Sequence, residues 1–89
     1  MMSIRVVVPG QLYSYTGGQS QLVAEGTTLG EVLDDLDRRH PGLRFRVVDE
    51  HGAIRPHVRF FINRQPALAL SHALADGDEL LVVGALSGG

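Results

Sequence analysis

The chain has 89 residues, 44% of them hydrophobic and 20% charged, and a formal net charge of −2. That is room for one small domain with a single core, too hydrophobic for extended disorder and too near neutrality for an electrostatic footprint on nucleic acid or an anionic membrane. There is no cysteine, and the eight basic residues are all arginine; thiolate catalysis, disulfides, thiolate metal sites and a lysine nucleophile are therefore excluded.

Residues 3–9 are rich in β-branched side chains and end at Pro9-Gly10. They predict a first strand with Ile4, Val6 and Val8 on one face and Arg5 and Val7 on the other. Residues 11–20, with Tyr13, Tyr15 and Gly17-Gly18, read as a long hairpin loop. The returning strand is expected over 20–24, with Leu22 and Ala24 inward. Thr28 followed three residues later by Glu31 has the pattern of a capping box at a helix start. Leu29, Val32, Leu33 and Leu36 follow at helical spacing, with Glu31, Asp34, Asp35 and Asp37 assigned to the opposite, solvated side. Arg38, Arg39 and His40 complement the helix dipole at its end, and Pro41-Gly42 stops it.

Residues 43–56 form a polar, arginine-rich connection carrying Leu43, Phe45, Val47 and Val48, with room for a short helical turn and a reversal at 49–52. His40, His51, His57 and His72 lack metal-ligand spacing and are expected on the surface or in loops. Residues 58–63 make the strongest strand, with Val58, Phe60 and Ile62 inward and Arg59, Phe61 and Asn63 on the other face. A turn is expected at 64–66 and a short edge strand over 67–70. Asp76-Gly77-Asp78 is a turn signature. Residues 79–83 are the last strand, with Leu80 and Val82 inward and Leu81 and Val83 outward, running out into Gly84-Ala85-Leu86-Ser87-Gly88-Gly89.

This order of elements predicts an α+β, β-grasp (ubiquitin-like) domain over 1–84: a mixed four- to five-stranded sheet with one main helix on one face, followed by a flexible tail over 85–89. Strands 3–9 and 79–83, apolar on both faces, are expected side by side in its middle. On the face away from the helix, Val7, Phe61, Leu81 and Val83 would form an apolar patch beside the tail, available for docking unless the middle connection folds over it. Arg5 and Arg59 share that face and could pair with acidic groups of a partner. Glycines in the tail lack a Cβ, so Gly88-Gly89 can lie extended in a narrow channel.

The segments Thr28-Leu29-Gly30-Glu31-Val32-Leu33, Phe61-Ile62-Asn63 and Asp76-Gly77-Asp78-Glu79, with the terminal Gly88-Gly89, resemble the MoaD/ThiS family of sulfur-carrier proteins over essentially the whole chain. The Tyr-Thr-Gly-Gly run at 15–18, the long middle connection and residues 85–89 look closest to the CysO-like carriers of cysteine-forming pathways. Gly84 departs from the family pattern, in which a proline often precedes the tail, and this puts the tail's exit angle in question.

The resemblance implies that the chain is a co-substrate, not an enzyme, or else the small subunit of a molybdopterin-synthase-type enzyme. Gly89, with Gly88 beside it, would carry the reactive carboxylate. An E1-like partner would use ATP and Mg²⁺ to adenylate it, and a sulfur donor would convert it to a thiocarboxylate for a sulfur-accepting biosynthetic enzyme. Leu86 joins Val7, Phe61, Leu81 and Val83 as a partner-binding residue. The chain itself is expected to bind no cofactor or metal. The alternative is a ubiquitin-like modifier or interaction module conjugated through its Gly-Gly end. With no leader before Ser3 and no apolar run of membrane-spanning length, a cytoplasmic location is expected.

Overall fold

A computed structural model describes residues 3–84. Five strands, β1 (Ser3–Val7), β2 (Gln21–Glu25), β3 (Val58–Ile62), β4 (Gln65–Ala67) and β5 (Glu79–Gly84), form one sheet in the order β2-β1-β5-β3-β4. The pair β1 and β5 is parallel and central, and the other neighbours are antiparallel. Helix α2 (Leu29–Arg39) packs on β2, and the short helix α3 (Leu43–Val47) packs on α2. Period-2 alternation puts Ile4, Val6, Leu22, Ala24, Val58, Phe60, Ile62, Leu80 and Val82 into one core with Leu29, Val32, Leu33 and Leu36 of the helix. This is the β-grasp arrangement that the order of elements predicts.

The start of α2 is fully satisfied. Thr28 accepts from the Glu31 N–H through its side chain at 3.2 Å. The Leu29 and Gly30 N–H groups, which a helix leaves without internal partners, donate to the carbonyls of His72 (2.9 Å) and Leu70 (2.8 Å). The Glu31 carboxylate reaches back to Thr27, accepting from its N–H and its hydroxyl, each at 2.8 Å. The capping box thus closes one residue earlier than the Thr28/Glu31 spacing implies.

Three expectations need correction. Residues 11–20 are not an open loop: a 3₁₀ turn (Gly10–Leu12) leads into the helical turn α1 (Tyr13–Thr16), which Gly17 ends in the left-handed conformation, and Leu12 and Thr16 are buried. The edge strand falls at 65–67 and not at 67–70, because Asn63 and Arg64, both at positive φ, make a two-residue turn between Ile62 and Gln65. Residues 69–72 instead lie over the start of α2.

The acidic residues of α2 are not uniformly solvated either. Asp35 is buried, accepting from the Glu25 N–H at 2.9 Å and pairing with Arg38 and with Arg39 Nε at 2.9 Å. Asp37 accepts from the N–H groups of Gly42 and Arg44, both at 3.1 Å, and so secures the start of α3. Of the apolar set in the middle connection, Leu43, Val47 and Val48 are buried while Phe45 is 54% exposed, its ring covered by the Arg55 guanidinium 4.6 Å from the centroid.

Candidate functional site

The strand register assembles the face opposite the helix in rows. Val7 pairs with Leu81, Leu81 with Phe61 and Phe61 with Pro66, giving one apolar row across β1, β5, β3 and β4. At the usual spacing of roughly 4.8 Å between strands it spans about 14 Å. The row towards the tail pairs Val83 with Arg59, and the row on the other side places Val23, Arg5 and Glu79 together. Val7, Leu81 and Phe61 are half-buried by their neighbours within the sheet, and Val83 is 38% exposed.

The helical part of the middle connection does not fold over this face. Its helix α3 lies on α2, at the opposite side of the sheet, with Leu43 and Val47 buried. The apolar row is therefore not covered by α3, and Ile54, Arg55 and Pro56 line a cleft with Arg59, Phe61 and Pro66 at its β3–β4 end. Arg59 does not reach outward as expected for a partner contact: its Nη1 donates to the carbonyls of Pro56 (2.8 Å) and Val58 (3.0 Å), which folds the guanidinium back along its own strand and leaves Val83 uncovered.

The far end of the sheet is stitched by the Asp76-Gly77-Asp78 turn. Ser3 N–H donates to Asp76 Oδ1 at 2.8 Å, and Gly77 N–H to the Ser3 carbonyl at 2.9 Å. Asp78 accepts from the Ala75 N–H at 2.8 Å and from Asn63 Nδ2 at 2.9 Å, and these two bonds hold its carboxyl below the usual range. Asn63 Oδ1 in turn accepts from the Glu79 N–H at 3.0 Å. The Phe61-Ile62-Asn63 and Asp76-Gly77-Asp78-Glu79 segments thus lock β1, β3 and β5 together at the pole away from the tail.

At the tail pole, Gln11 Nε2 donates to the Gly84 carbonyl at 2.7 Å. Gly84 is also paired with Val58 in the sheet. The backbone is held up to this residue, and the exit angle of the tail lies outside the described residues. Nothing in the sequence marks Gln11; only the fold brings it 73 positions along the chain to the root of the tail. The cleft beside it, lined by Leu12, Val47, His57 and Val82 among others, has a volume of about 50 Å³, room for water but not for a cofactor.

No group of acidic residues and histidines among the described residues has metal-binding geometry, and no described helix is long and apolar enough to cross a membrane. Leu86, Gly88 and Gly89, with the predicted tail 85–89, lie outside the described residues.

A small β-grasp domain with an open apolar sheet face beside its last strand, running towards a Gly-Gly sequence, is a ubiquitin-like protein. Residues 6–89 match the model of the ThiS family, and the chain belongs to that family, as the sequence resemblance implies. It is 33% identical over 93 aligned positions to the sulfur carrier protein CysO of Mycobacterium tuberculosis, covering 99% of this chain and 100% of that protein. It is 40% identical over 62 residues to small archaeal modifier protein 1 of Haloferax volcanii, covering 70% of each. The crystal structure of the Amycolatopsis orientalis BexX/CysO complex contains a chain that superposes with a TM-score of 0.88 at 30% identity, covering 97% of this chain and 99% of that one.

Proposed function

We propose that the chain is a sulfur carrier whose reactive group is the carboxylate of Gly89. The observation that carries this is the open apolar row Val7–Leu81–Phe61, which with Val83 lies on and beside the strand leading into Gly88-Gly89. One face is thus available to hold a partner while the tail beside it enters that partner's active site. The similarity to CysO over the whole chain supports the same reading.

The chemistry follows from the state of the end group. An α-carboxyl has a pKa of about 3.3–3.7 and is ionised at neutral pH, where its charge repels nucleophiles. An E1-like adenylating partner, supplying ATP and Mg²⁺, lets a carboxylate oxygen attack the α-phosphorus; pyrophosphate leaves and an acyl-adenylate forms. Sulfur from a donor then attacks the acyl carbon and AMP leaves, so one oxygen is replaced by sulfur. The thiocarboxylate delivers that sulfur to a biosynthetic enzyme in the cytoplasm, a cysteine-forming one in preference to a molybdopterin- or thiamin-forming one. No side chain of the carrier takes part, which suits a chain without cysteine or lysine. Val7, Phe61, Leu81, Val83 and Leu86 dock the partners.

A second reading is favoured by the likeness to small archaeal modifier protein 1: the activated Gly89 joins a target amine instead of sulfur. Intact-mass analysis of the protein from its own cells separates the two. A single sulfur-for-oxygen increment is the result expected for the carrier. Conjugates to other proteins without that increment would establish the modifier, and an unaltered chain whose truncation at Gly89 leaves growth unaffected would exclude both.

A further inference from the structure

The root of the tail is held by a side chain placed where the strand ladder runs out. The Asn63 N–H donates to the Glu79 carbonyl, which makes 63/79, and hence 61/81 and 59/83, the hydrogen-bonded pairs of β3 and β5. Gly84, opposite Val58, is then a pair whose backbone groups turn away from β3 towards the β1 side. On that side the Arg5 N–H donates to the Asp78 carbonyl. Continued by twos, the parallel ladder would bring residue 7 to residue 80, residue 9 to 82 and residue 11 to 84.

The backbone does not follow. Residue 9 is proline, with no N–H to donate, and the chain leaves the sheet there for the 3₁₀ turn. The side-chain amide of Gln11 takes the place its backbone would have occupied, at 2.7 Å from the Gly84 carbonyl. Gln11 is itself fixed, because the adjacent Leu12 is buried in the core and its N–H closes the turn on the Pro9 carbonyl at 3.0 Å. Glycine at 84 permits the close approach: a Cβ there would stand 3.2 Å from Gln11 Nε2.

We infer that Gln11 is a positioning residue that aims the tail at the partner's active site. This rests on the carrier reading. Five residues after Gly84 reach at most about 16–18 Å, so the point and direction at which the chain leaves Gly84 set the region its end can search. Misplacement of a reacting group by about 1 Å already costs on the order of 100-fold in rate. The hydrogen bond fixes the root of the tail at Gly84 before the partner is met, and it does so without touching the docking face.

The test uses the full-length chain with three variants. Gln11→Leu and Gln11→Glu remove the donor at similar size, and Gln11→Lys restores one. With the carrier as varied substrate in pyrophosphate exchange by its activating enzyme, Gln11→Leu and Gln11→Glu are expected to lower the rate of adenylation about 3- to 10-fold, as loss of one neutral hydrogen bond does. Their Kd for the enzyme should stay unchanged, and Gln11→Lys should recover most of the rate. Unchanged rates, a loss carried wholly by Kd, or Gln11→Lys behaving like Gln11→Leu would overturn the proposal. If the wild-type chain is not adenylated at all, the carrier reading fails, and residual dipolar couplings at Gly84 decide the clamp: averaging towards zero in Gln11→Leu but not in Gln11→Lys supports it, and identical couplings reject it.

Discussion

Replacing Val83 by aspartate, with Val23→Asp as its control, isolates the docking face from the general effect of charge on this sheet. Both valines lie on the open face, 38% and 54% exposed, and both stand opposite an arginine, Arg59 and Arg5 respectively. Each new carboxylate stands at an exposed position of the sheet, where even an ion pair with the facing arginine changes stability by only about 0–1 kcal/mol. They differ in position: Val83 lies on the strand that leads to the tail, next to the Val7–Leu81–Phe61 row, whereas Val23 is on the far edge strand β2.

The magnitude follows from the surface still open at Val83. Full burial of a valine stabilises by about 1.5–3 kcal/mol, so the 38% left for a partner corresponds to roughly 0.6–1.1 kcal/mol. Forcing a polar group into that contact without a partner adds about 1–3 kcal/mol. The sum, roughly 2–4 kcal/mol, is a loss of about 30- to 700-fold in affinity for the activating enzyme. Titration of each variant into that enzyme, with urea unfolding to verify that both remain folded, measures it. An equal loss for Val83→Asp and Val23→Asp, or none for either, would refute the assignment of this face.

Asp35→Asn keeps the shape of a buried side chain but removes the charge that Arg38 and Arg39 face, and it is expected to cost about 1.5–3 kcal/mol in urea unfolding. Arg64→Gly relieves a left-handed residue in the β3–β4 turn (φ 71°) and should stabilise by about 1 kcal/mol; a lower unfolding midpoint would show that the arginine stabilises through its side chain instead. Acid stability reports three exposed or half-exposed carboxylates. Glu31 is held below its ordinary value of 4.5 by the Thr27 N–H and hydroxyl. Asp49 is held below 3.8 by the N–H groups of Ala53 and His51, and Asp78 below 3.8 by the Ala75 N–H and the Asn63 amide. Since the folded values are the lower ones, their stabilisation is complete above the ordinary values and is lost as pH falls through the folded ones. Glu31→Gln and Asp78→Asn should each flatten the decline of the urea midpoint in that acid range, and slopes equal to that of the parent would exclude these bonds as its source.

Much of the domain was legible from local pattern alone. Alternation in residues 3–9, 58–63 and 79–83, and helical spacing from Leu29 to Leu36, depend only on the geometry of a strand or helix set against one core, so the inward residues and the β-grasp order follow without coordinates. The same alternation placed Val7, Phe61, Leu81 and Val83 on one face, because a strand residue not directed inward has a single other side to occupy. The Gly-Gly sequence and the absence of cysteine and lysine likewise directed attention to the chain end.

Tertiary structure decided what depends on partners distant in sequence. Whether α3 covers the open face or the helix is a question of packing, and Leu43 and Val47 settle it by burying against α2's side of the sheet. Asp35 belongs by spacing with solvated carboxylates, yet the Glu25 N–H and two arginines make its burial tolerable. The edge strand moved because Asn63 and Arg64 accept positive φ, which neither residue announces as glycine would. Gln11 is the plainest case: its amide matters only because the β1 backbone turns off at Pro9 while β5 continues, leaving the Gly84 carbonyl a donor short until a side chain 73 positions away supplies one.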